Sequence, residues 1–193
     1  MKACGYNVQC RLLNSKWLGV PQARERVIFI GVRNDVGLEP VYPTPLSYYY
    51  TVADAFYGIK NDDEEIALLY DSLKGKRLKE ISSKLPLNPK RTLCAAEVEN
   101  GSWFNLKRLS MNEPSCTLLA ESCKLHTAGA FHPLENRKLT IAELKRLQSL
   151  PDDFVLTGEF DQQAERIGRM VPPVMMMYIS KAIQNGVLDK YEK

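Results

Sequence analysis

The sequence predicts an α/β protein in which a β-rich beginning and a helical end enclose an irregular middle. Near the amino terminus, Val8, Cys10 and Leu12 alternate with polar residues, which is the pattern of a half-buried strand. The run 27–32 predicts a second, buried strand that is apolar on both faces. Near the carboxyl terminus, apolar residues recur at helical spacing in two segments.

Two arginines stand at the start of the second predicted strand. A turn is expected at residues 19–21, and Arg24 and Arg26 follow it two positions apart. Extended backbone would send both side chains from one face of the sheet. Two fixed cations at a sheet edge can hold phosphate or neutralise negative charge on a bound base. The alternative is a surface strand that merely begins with Arg-Glu-Arg.

The middle of the chain, from about residue 46 to 136, shows little regular structure. Its one predicted helix, a short one, lies at residues 66–70. Residues 74–110 contain nine Lys or Arg against three Glu, which favours a surface that faces a polyanion. The aromatic residues Trp103 and Phe104 fit a recognition surface built from loops. A solvated charged face is the alternative for such a block.

Two helices are predicted at the end of the chain. Thr140 and Glu143 have the spacing of a capping box, and the helix that they start buries a face of leucines before Pro151 ends it. The second helix starts at Pro172-Pro173, because proline is favourable in a first turn. Asn185-Gly186 is expected to stop it.

The composition excludes several classes of protein. No apolar run is long enough to span a membrane, and the amino terminus lacks the layout of a signal peptide. Five cysteines form no Cys-x-x-Cys pair and are odd in number, which indicates reduced thiols in a cytoplasmic protein. With only two histidines, no metal site is expected.

Four blocks of the sequence resemble the DNA cytosine-5 methyltransferases, in the order of that family. Residues 19–26 are similar to the family's Gln-x-Arg-x-Arg block. Residues 113–119 resemble the Thr-Leu element that closes its target-recognition region. Residues 137–148 are similar to its Arg-x-Leu-Thr-x-x-Glu helix, and residues 163–183 to its final block. Only the stretch from about 46 to 110 is unmatched. This is expected, because it is the part in which enzymes of this family with different DNA target sequences differ.

The resemblance implies a fold and a reaction. The chain would hold the C-terminal piece of a Rossmann-like methyltransferase sheet in residues 1–45 and a smaller, irregular α+β target-recognition domain in residues 46–160. Residues 161–193 would form a terminal helix that returns to the catalytic domain. Enzymes of this family flip cytosine out of double-stranded DNA and transfer methyl from S-adenosylmethionine to C5.

The resemblance also assigns candidate residues. Arg26 would contact the O2 atom of the base, where negative charge grows during attack, and Arg24 would order the site or hold backbone phosphate. Thr117 and Leu118 would lie against the DNA backbone near the flipped nucleotide, with ordinary strand packing as the alternative. The last group, expected near the cofactor, is Gly168, Arg169 and Met170. Arg169 stands where the family normally has asparagine, which puts cofactor contact at that position in doubt.

Several family motifs are absent from this sequence. It has no Pro-Cys nucleophile, no Glu-Asn-Val motif and no Phe-x-Gly-x-Gly loop, and all three precede the arginine block in the family. The chain is therefore expected to be inactive alone, to need an N-terminal catalytic half, and to expose apolar faces that favour self-association. The alternatives are a DNA-binding or regulatory module without catalysis and an RNA cytosine methyltransferase. The recognised DNA sequence does not follow from these residues.

Overall fold

A computed structural model describes residues 1–72, 76–97 and 106–191 of the chain. Its strands are β1 (Tyr6–Asn14), β2 (Glu25–Arg33), β3 (Leu93–Cys94), β4 (Lys107–Arg108) and β5 (Ala130–Phe131). Its helices are α1 (Val52–Phe56), α2 (Asp63–Ser72), α3 (Lys76–Lys84), α4 (Ile141–Leu147), α5 (Phe160–Arg169), α6 (Pro173–Ile183) and α7 (Asp189–Tyr191). None of the helices in these ranges has the length and apolar character needed to cross a bilayer.

The two long strands form an antiparallel hairpin. Their register runs over nine residue pairs, from Tyr6 opposite Arg33 to Asn14 opposite Glu25. Gly19 completes the connection in a left-handed conformation with φ of 77°, as the predicted turn requires. One face of the hairpin packs on α6, and the core that they share contains Leu18, Val20, Ile30, Tyr42, Met175 and Ile179.

The other face of the hairpin, which we call the open hairpin face, has no covering element in the described part of the chain. It is built from three cross-strand pairs, Val8–Gly31, Cys10–Phe29 and Leu12–Val27. Leu12 is 61% exposed, Val27 55% and Phe29 64%. Residues 10 and 12 are therefore exposed and do not face a core, whereas the exposed side chains of Val27 and Phe29 agree with the expectation that the chain exposes apolar faces. The alternation marks the apolar face; Met1 lies against its Gly31 end, while Leu12, Val27 and Phe29 stay exposed.

A larger core lies outside the hairpin, among residues from Val52 to Ile167. Helices α1, α4 and α5 surround it, and its buried residues include Val52, Leu118, Leu144, Leu147 and Ile167. Beside it, β3, β4 and β5 form a small mixed sheet in which β3–β4 is antiparallel and β4–β5 parallel. The predicted helix at residues 66–70 is confirmed inside the longer α2. The division into domains at residues 45 and 160 stays a prediction.

Helix α4 begins with the capping box that the sequence predicts. Thr140 Oγ1 accepts a hydrogen bond from the Glu143 amide at 3.1 Å, and Glu143 Oε2 accepts one from the Thr140 amide at 2.9 Å. Glu143 also binds Arg137, whose two outer nitrogens lie 2.8 and 2.9 Å from its carboxylate oxygens. Arg137 and Glu143 are both almost completely buried. The helix start is therefore anchored by an ion pair that water cannot screen.

The basic block at residues 74–110 contains a buried arginine, while the expectation that the block faces a polyanion stays a prediction. The Arg108 side chain is 0% exposed and donates hydrogen bonds to the carbonyls of Ser82, His132 and Glu135. Burial lowers its pKa to about 10. The hydrogen bonds tie α3 to the loop after β5, so this cation stabilises the part of the chain around the small mixed sheet. The predicted aromatic pair, Trp103 and Phe104, lies outside the described residues.

The final helix starts at Pro173 as predicted but does not stop at Asn185-Gly186. After α6 the backbone continues as a π-helical turn, Gln184–Leu188, into α7. Gly186 is not left-handed. A Cβ atom on it would lie 2.7 Å from a methyl group of Val41, so the missing side chain allows close packing. The Asn-Gly pair predicted a helix stop. The prediction failed because the close approach of Gly186 to Val41 has no signal in the neighbouring sequence.

We expect Arg137→Ala to destabilise the chain by about 3 kcal/mol, because it leaves the buried Glu143 carboxylate without its partner. Urea unfolding followed by far-UV circular dichroism measures this loss. Arg33→Ala is the matched control, since Arg33 pairs with Asp35 on the surface with 58% of its side chain exposed. The control variant should unfold at the wild-type midpoint. Equal midpoints for the two variants would contradict the anchoring role of the buried pair.

Candidate functional site

The first candidate residue, Arg26, lies near the start of β2. It is half-buried and belongs to the hairpin face that carries Ile28 and Ile30. Its Nη1 atom donates a hydrogen bond to the carbonyl of the preceding residue, Glu25, at 2.6 Å. Among the described residues, no carboxylate forms an ion pair with it. A guanidinium without an acidic partner remains able to meet an external negative charge.

The second candidate, Arg24, is buried just before β2, with 2% of its surface exposed. Its Nη1 donates to the carbonyl of Leu118 at 2.8 Å, and its Nη2 to the carbonyl of Gly168 at 2.9 Å. Burial, followed by the nearby charge of Arg26, lowers the pKa of Arg24 to about 10. The group therefore stays protonated near pH 7. Its outer nitrogens join three segments that lie far apart in the sequence.

The predicted DNA-contacting pair runs alongside the residues that precede β2. The Ser115 amide donates to the carbonyl of Pro21, and the Ala23 amide donates to the carbonyl of Ser115. Thr117 Oγ1 donates to the carbonyl of Ala23 at 2.8 Å. The side chain of Leu118 is 1% exposed and belongs to the larger core. Both candidates are thus held against the arginine segment by hydrogen bonds.

The three residues expected near the cofactor form the last turn of α5. A Cβ atom on Gly168 would lie 2.5 Å from the Ala120 amide nitrogen, so glycine is required for this contact between two backbones. Arg169 points outward, and its Nη2 lies 2.5 Å from Glu165 Oε1 with 70% of its side chain exposed. Met170 is half-buried against the larger core. The structure brings Gly168 to Arg24 but keeps the Arg169 side chain apart from them.

Two buried glutamines complete the junction at which the segment before β2 meets the Leu118 backbone and the ends of α4 and α5. No role was predicted for either from the sequence. Gln22 and Gln148 are both 0% exposed. Gln22 Nε2 donates to Gln148 Oε1 and to the carbonyl of Leu147. Gln148 could have been found from the sequence, since it lies four positions after Leu144 on the apolar face of α4. A polar residue in a buried stripe needs a buried partner.

Next to the junction lies a groove of about 390 Å³. Its walls include Pro21, Tyr50, Leu150 and Val174, and Asp54 and Arg146 add charge. It is too open and too weakly polar to define a ligand by itself. Within the described ranges, no three side chains of the metal-binding types are grouped closely enough to hold an ion.

Known proteins resemble this chain in sequence and in fold. The family described as C-5 cytosine-specific DNA methylase matches residues 1–185. The type II methyltransferase M.NgoFVII of Neisseria gonorrhoeae is 33% identical over 203 aligned positions, which cover 98% of this chain and 53% of that protein. M1.HphI of Haemophilus parahaemolyticus is 32% identical, with 93% of this chain and 48% of that protein covered. The chain spans about half the length of these curated relatives.

Solved structures show the same fold. A putative DNA modification methyltransferase encoded within an Escherichia coli prophage superimposes with a TM-score of 0.69 and 22% identity, over 97% of this chain and 62% of that one. The Schizosaccharomyces pombe Dnmt2 methyltransferase gives a TM-score of 0.59 at 12% identity, over 95% of this chain and 59% of that one. The α/β methyltransferase fold predicted from the sequence is confirmed. The chain belongs to the C-5 cytosine-specific DNA methylase family.

Proposed function

We propose that this chain is the C-terminal part of an enzyme that transfers methyl from S-adenosylmethionine to C5 of a cytosine flipped out of double-stranded DNA. Family membership and the half-length match support this function. The observation that carries it is Arg26, a half-buried guanidinium without an acidic partner among the described residues. It lies near the start of β2, in the hairpin that packs on α6. Such a cation is free to meet a substrate.

Arg26 is the residue to which we assign transition-state stabilisation. Attack of a nucleophile on C6 of cytosine pushes electron density onto the ring and its O2 atom. A guanidinium beside O2 is worth more as that charge grows, so it lowers the barrier rather than only tightening binding. Arg24 then serves as its support, because its outer nitrogens are committed to the backbone carbonyls of Leu118 and Gly168. Thr117 and Leu118 would place the recognition region against the DNA backbone.

We propose one contact between the cofactor and this chain. S-adenosylmethionine supplies the methyl group, and it carries a carboxylate that a cation could bind. Gly168 and Met170 shape the last turn of α5, where Arg169 is exposed and is shared with Glu165. The Gly168 carbonyl is occupied by Arg24. We therefore assign a carboxylate contact to Arg169 and the remainder of the cofactor pocket to the other half of the enzyme.

The open hairpin face is where we propose that this other half docks. Leu12, Val27 and Phe29 offer an apolar surface, while the opposite face is already covered by α6. An antiparallel hairpin can leave one face in water, but that face is then usually polar, so the exposed apolar side chains point to a partner. The relatives contain about as many further residues as this chain has. Without that half, the same surface favours self-association.

We expect Arg26→Ala to lower the rate of methyl transfer by about two to four orders of magnitude in the enzyme reassembled with its N-terminal half. Incorporation of tritiated methyl groups into duplex DNA measures the rate, and a parallel assay with tRNA tests the RNA methyltransferase alternative. Arg33→Ala, a surface change at the far end of the same strand, is the control. A loss below threefold for Arg26→Ala would exclude its catalytic assignment. Salt-sensitive DNA binding without methyl transfer by any assembled pair would favour the regulatory module.

We expect Phe29→Asp to weaken assembly with the N-terminal half by at least tenfold, since burial of a phenylalanine side chain contributes roughly 1.5–3 kcal/mol. Isothermal titration calorimetry of the two halves measures this affinity. The same variant should reduce self-association of the isolated chain in analytical ultracentrifugation. Tyr57→Asp is the control, because Tyr57 is 85% exposed and lies outside the hairpin. Unchanged affinity for Phe29→Asp would place the docking surface elsewhere.

A further inference from the structure

We propose that Gln22 and Gln148 are positioning residues, which act as a two-amide relay. The relay fixes the Leu118 backbone and the last turn of α5 relative to the strand that carries Arg26. Its catalytic consequence rests on the proposed function, but the relay itself is a property of this chain alone. It extends that function by naming two residues that touch neither base nor cofactor and still set the geometry of both contacts.

The first argument is the direction of the hydrogen bonds. The Leu118 amide donates to Gln22 Oε1 at 3.1 Å, and Gln22 Nε2 donates onward to Gln148 Oε1. Gln148 Nε2 then donates to the carbonyls of Ile167 and Met170 at 3.0 and 2.9 Å. Rotation of either amide by 180° would place carbonyl oxygens against each other. The relay therefore has one allowed direction of hydrogen bonding, from the Leu118 amide to the carbonyls at the end of α5.

The second argument is burial. Both glutamines are 0% exposed, so a broken hydrogen bond could not be replaced by bulk water. A buried amide without partners is costly, and neighbouring members of a buried network strengthen one another. The relay is thus made or broken as a unit. At its α5 end it joins Arg24, which binds the Gly168 carbonyl between the two, so three of the four carbonyls from Ile167 to Met170 are held.

The third argument is the path to Arg26. The Gln22 carbonyl accepts a hydrogen bond from Ser15 Oγ at 2.5 Å, and the same hydroxyl accepts one from the Arg24 amide at 3.1 Å. Gln22 therefore belongs to a rigid lead into β2, four residues before Arg26. A displacement of about 1 Å at a reacting group can cost a factor of 100 in rate. A slip of the relay would move the guanidinium by such an amount without removing it.

Gln148→Glu tests the relay, because it keeps the size of the side chain and reverses its polarity toward α5. The new carboxylate faces the carbonyls of Ile167 and Met170, to which it cannot donate. In the reassembled enzyme we expect kcat per folded molecule to fall at least tenfold. The defect should shrink as the pH is lowered from 8 to 6, since a protonated carboxyl group can donate again.

Two further variants separate positioning from general damage. Gln184→Glu adds the same charge at an exposed site and should keep the wild-type kcat and pH profile. Gln148→Met keeps the volume without adding charge and also serves if Gln148→Glu fails to fold. It should lower kcat at every pH. Wild-type kcat in folded Gln148→Met, or a pH-independent loss in Gln148→Glu, would overturn the proposal.

Hydrogen exchange separates failure of the relay from failure of the proposed function. In the full chain alone, the Leu118 amide should exchange at least tenfold faster in Gln148→Glu and Gln148→Met than in wild type, although residue 148 does not touch it. Unchanged protection of Leu118 in the folded variants would overturn the relay. A wild-type pair that transfers no methyl group would instead count against the proposed function, and the exchange result would still decide about the relay.

Discussion

The fold depends on one constraint, which is that the two outer nitrogens of the buried Arg24 guanidinium need backbone carbonyls, while its Nε has no partner among the described residues. A charge in the interior is very costly unless hydrogen bonds replace its hydration. Here the carbonyls come from Leu118 and Gly168, which lie 94 and 144 positions away in the sequence. Arg24 therefore links the segment before β2 to the backbone of Leu118 and to α5. The same requirement places Gly168 against Ala120, where a side chain would not fit.

Buried cations recur around the small mixed sheet of β3, β4 and β5, where they meet different partners. Arg137 pairs with Glu143, and Arg108 binds carbonyls and the side-chain oxygen of Asn136. The Lys138 ammonium donates to the carbonyls of Ser122 and Thr127, and burial lowers its pKa to about 8. Short strands give this part of the chain few ladder hydrogen bonds. Basic side chains supply cross-links where regular secondary structure is sparse.

Local signals predicted the elements whose causes are local. The capping box of α4, the proline start of α6 and the turn at Gly19 depend on neighbouring residues, and each is found in the structure. Long-range causes were missed. Nothing in the pattern near Gly186 indicates contact with Val41, and an apolar alternation in β1 cannot say whether a covering layer is present. The approach of Arg24 to Gly168 likewise depends on the complete fold, while the polar residue in the buried stripe of α4 was a detectable signal.

The hairpin also has a consequence for the kinetics of assembly. Its nine cross-strand pairs are closed within this chain and backed by α6, so the open hairpin face exists before any partner arrives. A surface that is already folded loses little conformational entropy on association, unlike a segment that folds as it binds. Encounter would then be limited by the orientation of two rigid patches, with rate constants on the order of 10⁵–10⁷ M⁻¹ s⁻¹.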